Sequence, residues 1–362
     1  MRTLRAVLGV GFALFSMFFG SGNLIFPLLV GFQTASHPIW SSIGIILSGV
    51  ILPFVGVYAM MLYGGDQNRF FRFFGERGTL VFTFVSLALM GPFGVLARCL
   101  TVMHGGVEQF YAASSLSFVS ALFCLLIFGL SIKRGVLIQS IGGILTPFLL
   151  LSLALLVYFG LQHEYIVVSS LNAKNAFLEG FFQGYQTMDL LAALFFSTFI
   201  LGHLDRLYPN APEMKRKIFL RASLVGASLL SLVYLSLVHL SAHFHVELVN
   251  IEPQMLLPAV AKLSLGAIGG YIVAVASILA CLTTAVVLTY LFAEFLQKQI
   301  PFFASKYRAI GVTLLIAFMT STLEFSGIAR ILGPLLEISY PFIIALTATN
   351  ILLAHWQKKE LA

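Results

Sequence analysis

The chain has 362 residues, of which 59% are hydrophobic and only 10% charged, and its formal net charge is +7. A soluble domain carries about 25% charged residues and at most about half apolar ones. The composition therefore excludes an ordinary soluble enzyme, a disordered chain, a secreted disulfide scaffold and a nucleic-acid-binding protein. It predicts an integral membrane protein with little sequence outside the bilayer.

Long apolar segments follow one another along the whole chain. A bilayer core about 30 Å thick needs about 20 apolar residues per helix, and ten segments meet this requirement. They run roughly over 7–33, 40–63, 79–97, 110–132, 138–160, 177–202, 218–240, 264–295, 309–325 and 334–355. The sequence predicts an all-α integral membrane protein, a single domain over 1–362 with ten transmembrane helices.

The basic residues predict the orientation of these helices. Lys and Arg gather in the cytoplasmic loops of membrane proteins. With the N-terminus in the cytoplasm, 17 of the 21 Lys and Arg residues fall on the cytoplasmic side. Both termini are then cytoplasmic. This uneven distribution of Lys and Arg also supports the count of ten spans, because one span more or fewer would no longer concentrate these residues on one side of the membrane.

Two of the predicted spans are interrupted by polar or small residues near their middle. The first contains Gly20-Ser-Gly-Asn23 followed by Pro27, and the sixth contains Gln183 to Asp189. These interruptions lie five spans apart. This weak positional repeat divides the chain into an inverted five-plus-five pair, about 7–160 and 177–355. Interrupted spans at matching positions are typical of a transporter binding site.

The interruption in the first span is well suited to binding a ligand. Glycine inside a helix costs up to about 1 kcal/mol relative to alanine. If the helix unwinds at Gly20 and Gly22, its freed backbone groups need partners away from lipid. The new helix start favours a carboxylate, and the freed carbonyls favour a small cation. The alternative is that the glycines serve close helix packing.

The sixth and eighth spans carry further polar residues. An aspartate in mid-membrane, here Asp189, marks a functional site by default, although it could also cap the second half of a broken helix. In the eighth span Ala280, Thr283 and Thr284 lie on one helix face. Their oxygens suit a small cation. Taken alone, the commoner role for the two threonines is a hydrogen bond to their own helix.

Two charged residues complete the set of candidates. Arg98 follows Gly91-Pro92 near the external end of the third span, where it would act as a gate or snorkel to the surface. Glu337 lies inside the tenth span beside Tyr340-Pro341. It is either a functional carboxylate or a neutral, hydrogen-bonded acid.

Together these motifs resemble the branched-chain amino acid:cation symporters, the bacterial BrnQ-like carriers of Leu, Ile and Val. The similarity extends in order over nearly the whole chain. The matching residues are Gly20 to Pro27 with Val30-Gly31, Gly91-Pro92 with Arg98, Thr101 and Val102, Gly184 to Asp189 with Leu191 and Ala193, Ala280 to Val286 with Leu288-Thr289 and Ala293-Glu294-Phe295, and Tyr340-Pro341. The resemblance implies the LeuT fold, a five-plus-five inverted repeat with broken helices 1 and 6.

The resemblance also implies which residues form the binding sites. Exposed backbone in the two broken helices would hold the carboxylate and amino group of the substrate. By position these residues are Phe18, Ser21, Gly22, Asn23, Gln183, Gly184, Thr187 and Met188. A coupling sodium ion would lie between spans 1 and 8, on the carbonyls of Ser16, Phe19 and Ala280 and the hydroxyls of Thr283 and Thr284. Arg98, Asp189 and Glu337 remain as gating or coupling residues.

The sequence therefore predicts a sodium-coupled symporter that takes up branched-chain amino acids across the cytoplasmic (inner) membrane of a bacterium by alternating access. Its partners would be the amino acid and the lipid bilayer, without nucleic acid and with no cofactor besides sodium. Members of the family usually have twelve spans, two more than are predicted here. The main alternative is a proton-coupled symporter of the same or another neutral amino acid, with Asp189 or Glu337 titrating. More distant alternatives are a non-transporting sensor and an intramembrane enzyme.

Overall fold

The structure, a computed structural model, describes residues 2–132, 136–163 and 171–360. Within these ranges the chain is almost entirely helical and contains no β-strand. Its α-helices are α1 (Arg2–Phe18), α2 (Ser21–Gln33), α3 (Pro38–Ile46), α4 (Leu52–Leu62), α5 (Gln67–Phe70), α6 (Gly75–Met90), α7 (Val95–Glu108), α8 (Leu116–Ile132), α9 (Val136–Gly160), α10 (Ala173–Gln186), α11 (Asp189–Leu207), α12 (Pro212–His243), α13 (Leu256–Gln299), α14 (Lys306–Ser321) and α15 (Glu324–Glu360).

Several of these helices are long and apolar enough to cross a bilayer. In the described part of the chain six helical segments pass this test, and a seventh is added if the bent pair α1 and α2 counts as one span. The six are Pro38–Leu62, Arg72–Glu108, Asp189–Leu207, Pro212–His243, Pro253–Gln299 and Glu324–Trp356. Two shorter apolar helices, Leu116–Ile132 and Pro147–Gly160, accompany them. The count of ten spans stays a prediction.

The first apolar segment changes direction by 70° between its two helices. α1 ends at Phe18, and α2 begins at Ser21. The amide of Gly20 donates to the side-chain oxygen of Asn23 at 3.3 Å. In a continuous helix that amide would serve the carbonyl of Ser16. The turn therefore leaves the Ser16 carbonyl without its helical partner.

The second apolar segment contains a π-helical turn. Residues Leu47–Ile51 form this turn between α3 and α4, and α10 packs against it. A Cβ atom on Gly184 would overlap the hydroxyl of Ser48 and lie 2.9 Å from the amide of Gly49. Only a glycine lets the two backbones approach this closely. Gly184 therefore serves the close packing of α10 against this turn.

The third predicted span differs from the structure. The sequence predicts one helix over 79–97, but α6 ends at Met90, a turn follows at Gly91–Gly94, and α7 continues to Glu108. Gly91-Pro92 interrupts the helix without ending the apolar segment. Arg98, predicted near the external end of this span, stays a candidate gating residue. It lies in the first turn of α7, with its side chain fully buried.

The longest helical segment, α13, also contains a break. Gly266 has φ +72°, a left-handed conformation that side chains disfavour. α13 packs along α7 and α9. α1 and α2 pack on α12, and α10 packs on α3. This arrangement brings the interruptions of the first and sixth predicted spans into the interior of the helix assembly.

Candidate substrate and ion site

The two interrupted segments meet inside the molecule. A Cβ atom on Gly22, at the start of α2, would lie 3.2 Å from the Cα atom of Thr187. Thr187 and Met188 separate α10 from α11, and Met188 has a left-handed backbone with φ 61°. This conformation is uncommon for a residue with a side chain. The structure therefore brings together two of the segments that the resemblance assigned to the substrate.

A closed hydrogen-bond network of three side chains holds this junction. Asn23 Nδ2 donates to Asp189 Oδ2 at 2.6 Å and to the hydroxyl of Tyr234 at 2.6 Å. The Tyr234 hydroxyl donates in turn to Asp189 Oδ2 at 3.2 Å. All three side chains are buried. The network links α2, α11 and α12. A change at Asp189 would therefore alter hydrogen bonds in both interrupted segments.

Asp189, which the sequence offers as a cap for the second half of a broken helix, lies at the start of α11. Asp189 is the first residue of α11, where a negative charge is favoured by the helix dipole. Its carboxylate accepts from Asn23 and Tyr234 of other helices. Its own amide donates to the Thr187 hydroxyl at 3.4 Å, and that hydroxyl donates to Gly184 O at 2.9 Å. Thr187 thus ties the end of α10 to the start of α11, while Asp189 links separate helices.

Other predicted substrate residues lie around this junction with different partners. Ser21 Oγ donates to the carbonyl of Val95 at 3.4 Å, which connects α2 to α7. The ring of Phe18 is buried against the rings of Phe54 and Phe196, at centroid distances of 5.3 and 5.6 Å. These contacts place Ser21 and Phe18 in the interior, on either side of the bend.

Gln183 is placed differently from the other predicted substrate residues. Its side-chain amide donates to Glu179 Oε1 at 2.8 Å, one turn earlier on α10. Gln183 is half-buried. The structure therefore does not bring the Gln183 side chain to the Asn23–Asp189–Tyr234 network.

The predicted cation ligands lie on α13, next to the bend between α1 and α2. A Cβ atom on Gly20 would lie 3.1 Å from Thr284 Oγ1. The hydroxyls of Thr283 and Thr284 donate to the carbonyl of Ala280 at 2.7 and 3.3 Å. These bonds use the hydroxyl hydrogens and leave the oxygen lone pairs free. The Ala280 carbonyl, which accepts both bonds, is the least available of the predicted ligands.

A cation at this place would depend on neutral oxygens. In the described part of the chain, no group of three or more His, Cys, Asp or Glu side chains could hold a metal ion. The Ser16 carbonyl lacks its helical partner, and the two threonine oxygens retain their lone pairs. Phe19, also predicted as a ligand, is buried within the bend and donates its amide to Phe15 O. Uncharged oxygens of this kind suit a monovalent cation.

The remaining charged candidates differ sharply in their surroundings. Arg98 is fully buried and donates to the backbone and side-chain oxygens of Gln186. Glu337 on α15 is exposed, whereas Tyr340 three residues later is fully buried. The structure therefore brings Arg98 to the end of α10 and leaves Glu337 outside the site.

Sequence reasoning did not identify three residues that shape this site. They are Tyr234, which bonds to Asn23 and Asp189, Gln186, which accepts from Arg98, and Phe325, whose ring centre lies 5.5 Å from the guanidinium carbon of Arg98. A single tyrosine or phenylalanine in an apolar span has the same pattern as a core residue, so no local signal singles out Tyr234 or Phe325. Gln186 lies between Gly184 and Asp189 in a segment that sequence reasoning did identify, and its polarity was the available signal.

The sequence of the chain matches known proteins over nearly its full length. The family described as branched-chain amino acid transport protein matches residues 3–362. The branched-chain amino acid transport system 3 carrier protein of Pseudomonas aeruginosa is 30% identical, and the alignment covers 97% of this chain and 82% of the relative. The branched-chain amino acid permease BrnQ of Salmonella typhimurium is 29% identical, with 97% and 81% covered.

The fold matches solved structures at much lower sequence identity. MhsT in complex with L-phenylalanine superposes with a TM-score of 0.60 at 15% identity, covering 88% of this chain and 79% of that one. The manganese transporter of Eremococcus coleocola gives a TM-score of 0.55 at 16% identity, with 96% and 76% covered. At such identities the likeness shows the fold alone.

Proposed function

The chain belongs to the branched-chain amino acid transport protein family, and we propose that it is a sodium-coupled symporter of leucine, isoleucine and valine. Membership makes it a multi-pass membrane transport protein and not an enzyme. The proposal of sodium-coupled symport rests on a single observation. The two interrupted segments meet at Gly22 and Thr187, next to the buried Asn23–Asp189–Tyr234 network.

The proposed architecture has ten transmembrane helices in a five-plus-five inverted repeat. In it α1 and α2 form broken helix 1, and α10 and α11 form broken helix 6. The repeats cover about 7–160 and 177–355 of a single domain. The distribution of Lys and Arg supports cytoplasmic termini in a bacterial inner membrane. Rocking of one repeat against the other would open the central site alternately to each side.

The proposed substrate is a branched-chain amino acid bound between the two broken helices. Its carboxylate and amino group would bind to the exposed backbone at Ser21–Asn23 and Thr187–Met188. The starts of α2 and α11 carry the positive ends of helix dipoles, which favour a carboxylate. An apolar environment separates Val, Leu and Ile by only about 1–3 kcal/mol per methylene group, so we propose transport of all three.

The proposed coupling ion is sodium, bound between the bend of the first segment and α13. The carbonyls of Ser16, Phe19 and Ala280 and the hydroxyls of Thr283 and Thr284 supply hard oxygen ligands. The closeness of Gly20 to Thr284 supports this placement. Sodium bound there would stabilise the bend and thereby the substrate site that begins at Ser21.

Replacing Thr283 or Thr284 by alanine tests the ion site. Each change removes one oxygen ligand, so the sodium concentration that half-saturates isoleucine binding should rise about tenfold, the equivalent of 1.4 kcal/mol. The matched control is Thr313→Ala on α14, whose buried hydroxyl likewise donates to its own helix at 2.7 Å. An unchanged sodium dependence in both variants would exclude this ion site.

The second candidate is a proton-coupled carrier with the same fold. It is favoured by one observation, the carboxyl group of Asp189 buried without a cationic partner among the described residues. Exchanging sodium for potassium at fixed pH distinguishes the two mechanisms. Uptake that continues in potassium and follows an inward proton gradient would favour protons. Uptake that stops in potassium would favour sodium.

A further inference from the structure

Arg98 is a buried positive charge with unused hydrogen-bonding capacity. Its side chain is 0% exposed. Nη1 donates to Gln186 O at 2.7 Å and Nη2 donates to Gln186 Oε1 at 2.8 Å, whereas Nε has no partner. The guanidinium carbon lies 5.0 Å from the ring centre of Phe26 and 5.5 Å from that of Phe325. Two aromatic rings and a glutamine therefore enclose the cation.

The charge of Arg98 is not balanced within the described part of the chain. None of the ion pairs formed there involves Arg98. Asp189 lies three residues after Gln186, but its carboxylate is bonded to Asn23 and Tyr234. Arginine keeps its charge in proteins, and a buried ion without a counter-ion is costly in a membrane protein. The surroundings of Arg98 therefore favour the arrival of an anion.

Arg98 lies against both interrupted segments. Gln186 is the last residue of α10, just before the junction at Thr187–Met188. Phe26 belongs to α2, and the hydroxyl of Ser21 donates to Val95 O, one turn before Arg98 on α7. The thiol of Cys99, the next residue, donates to Ser21 Oγ at 3.5 Å. An anion bound between the interrupted segments would thus lie next to the guanidinium group.

We propose that the guanidinium group of Arg98 pairs with the α-carboxylate of the transported amino acid. This inference rests on the proposed function and adds a charged side chain to the backbone groups assigned there. Arginine binds carboxylates through two parallel N–H donors, and the free Nε–H supplies one of them. The rings of Phe26 and Phe325 would exclude water and so strengthen the pair. Arg98 would select amino acids over amines and amides of the same shape.

The test compares isoleucine with isoleucinamide, which has the same side chain but no carboxylate. Binding of both to the purified full-length protein is measured by competition against labelled isoleucine. Wild-type protein should bind isoleucinamide at least about tenfold more weakly, as expected for loss of a charged hydrogen-bond pair. Arg98→Gln should weaken isoleucine binding to a similar extent and change isoleucinamide binding less than about twofold. Equal weakening of both ligands by Arg98→Gln would overturn the proposal.

A second variant keeps the test decisive if Arg98→Gln does not fold. Gln186→Glu places a carboxylate on the guanidinium group, and this internal anion would compete with that of the substrate. Without ligand its Tm should exceed that of the wild type, and isoleucine should no longer raise it. The control is Gln297→Glu on α13, whose side chain bonds to its own helix. A Gln186→Glu protein that isoleucine stabilises as strongly as the wild type would contradict the pairing.

The outcomes separate the two proposals. If wild-type protein binds isoleucine, and Arg98→Gln weakens isoleucine and isoleucinamide equally or leaves both unchanged, the role of Arg98 is refuted and the proposed function stands. If wild-type protein binds none of the three branched-chain amino acids, the proposed substrate class is refuted, and the pairing that depends on it fails as well.

Discussion

Replacing Asp189 by asparagine is expected to lower the initial rate of isoleucine uptake about 100-fold. The carboxylate accepts hydrogen bonds from Asn23 and Tyr234, and bonds to an ionised group are roughly twice as strong as neutral ones. Loss of about 1.5 kcal/mol at each bond gives about 3 kcal/mol, hence the factor of about 100. Uptake of labelled isoleucine into proteoliposomes under an inward sodium gradient measures it.

The matched control for this prediction is Asp205→Asn. Asp205 is about half exposed and pairs with Lys215, and such surface pairs contribute about 1 kcal/mol or less. Its uptake rate should equal that of the wild type. If Asp189→Asn also transports at the wild-type rate, the negative charge of Asp189 has no part in transport. If it loses concentrative uptake but still exchanges internal for external isoleucine, Asp189 takes part in ion coupling; if the wild type also concentrates isoleucine on a proton gradient without sodium, Asp189 is a proton site and the sodium assignment is wrong.

Replacing Gly31 by alanine is expected to lower the free energy of unfolding by about 3 kcal/mol, the upper part of the usual range for overpacking. A Cβ atom on Gly31 would overlap the carbonyl oxygen of Val238 and lie 2.8 Å from its carbonyl carbon. Both atoms belong to the backbone of α12, so a whole helix must shift. The Tm of the purified protein should fall by about 5 °C or more.

The control for Gly31→Ala is Gly9→Ala on α1. No atom lies within 4 Å of a Cβ built on Gly9. Alanine is favoured over glycine in a helix by about 1 kcal/mol, so this variant should match or exceed the wild type in Tm. Equal Tm values for the two variants would contradict the close approach of α2 to α12.

The interrupted segments illustrate what the sequence reveals about this fold. Gly20 and Gly22 are costly inside a helix, and they predict an interruption at the place where α1 ends and α2 begins. The membrane class follows from composition, and the helical class from the long apolar segments, in the same direct way. Whether α1 and α2, or α10 and α11, form broken membrane spans in a ten-helix repeat stays a prediction, because helix length and hydropathy alone do not decide it.

The contacts between helices that are far apart in the sequence could not be predicted from the sequence. The side chain of Tyr234 gives no local sign that it meets Asp189, because the contact depends on how α12 packs on α2 and α11. The predicted third span, 79–97, passes through Gly91-Pro92 as one helix, and only the structure reveals the turn there and the continuation of the chain as α7 to Glu108. The spacing of Thr283 and Thr284 fits both a helix-bonded and a cation-binding role, and the neighbouring Gly20 becomes visible only in the fold.

The most direct test of the proposed function is uptake of labelled isoleucine into proteoliposomes that contain the purified protein, with and without an inward sodium gradient at equal pH on both sides. Concentrative uptake that requires the sodium gradient is the predicted result. Uptake driven by a proton gradient without sodium would contradict the proposed ion, and no uptake of leucine, isoleucine or valine under either gradient by folded protein would contradict the proposed transport activity.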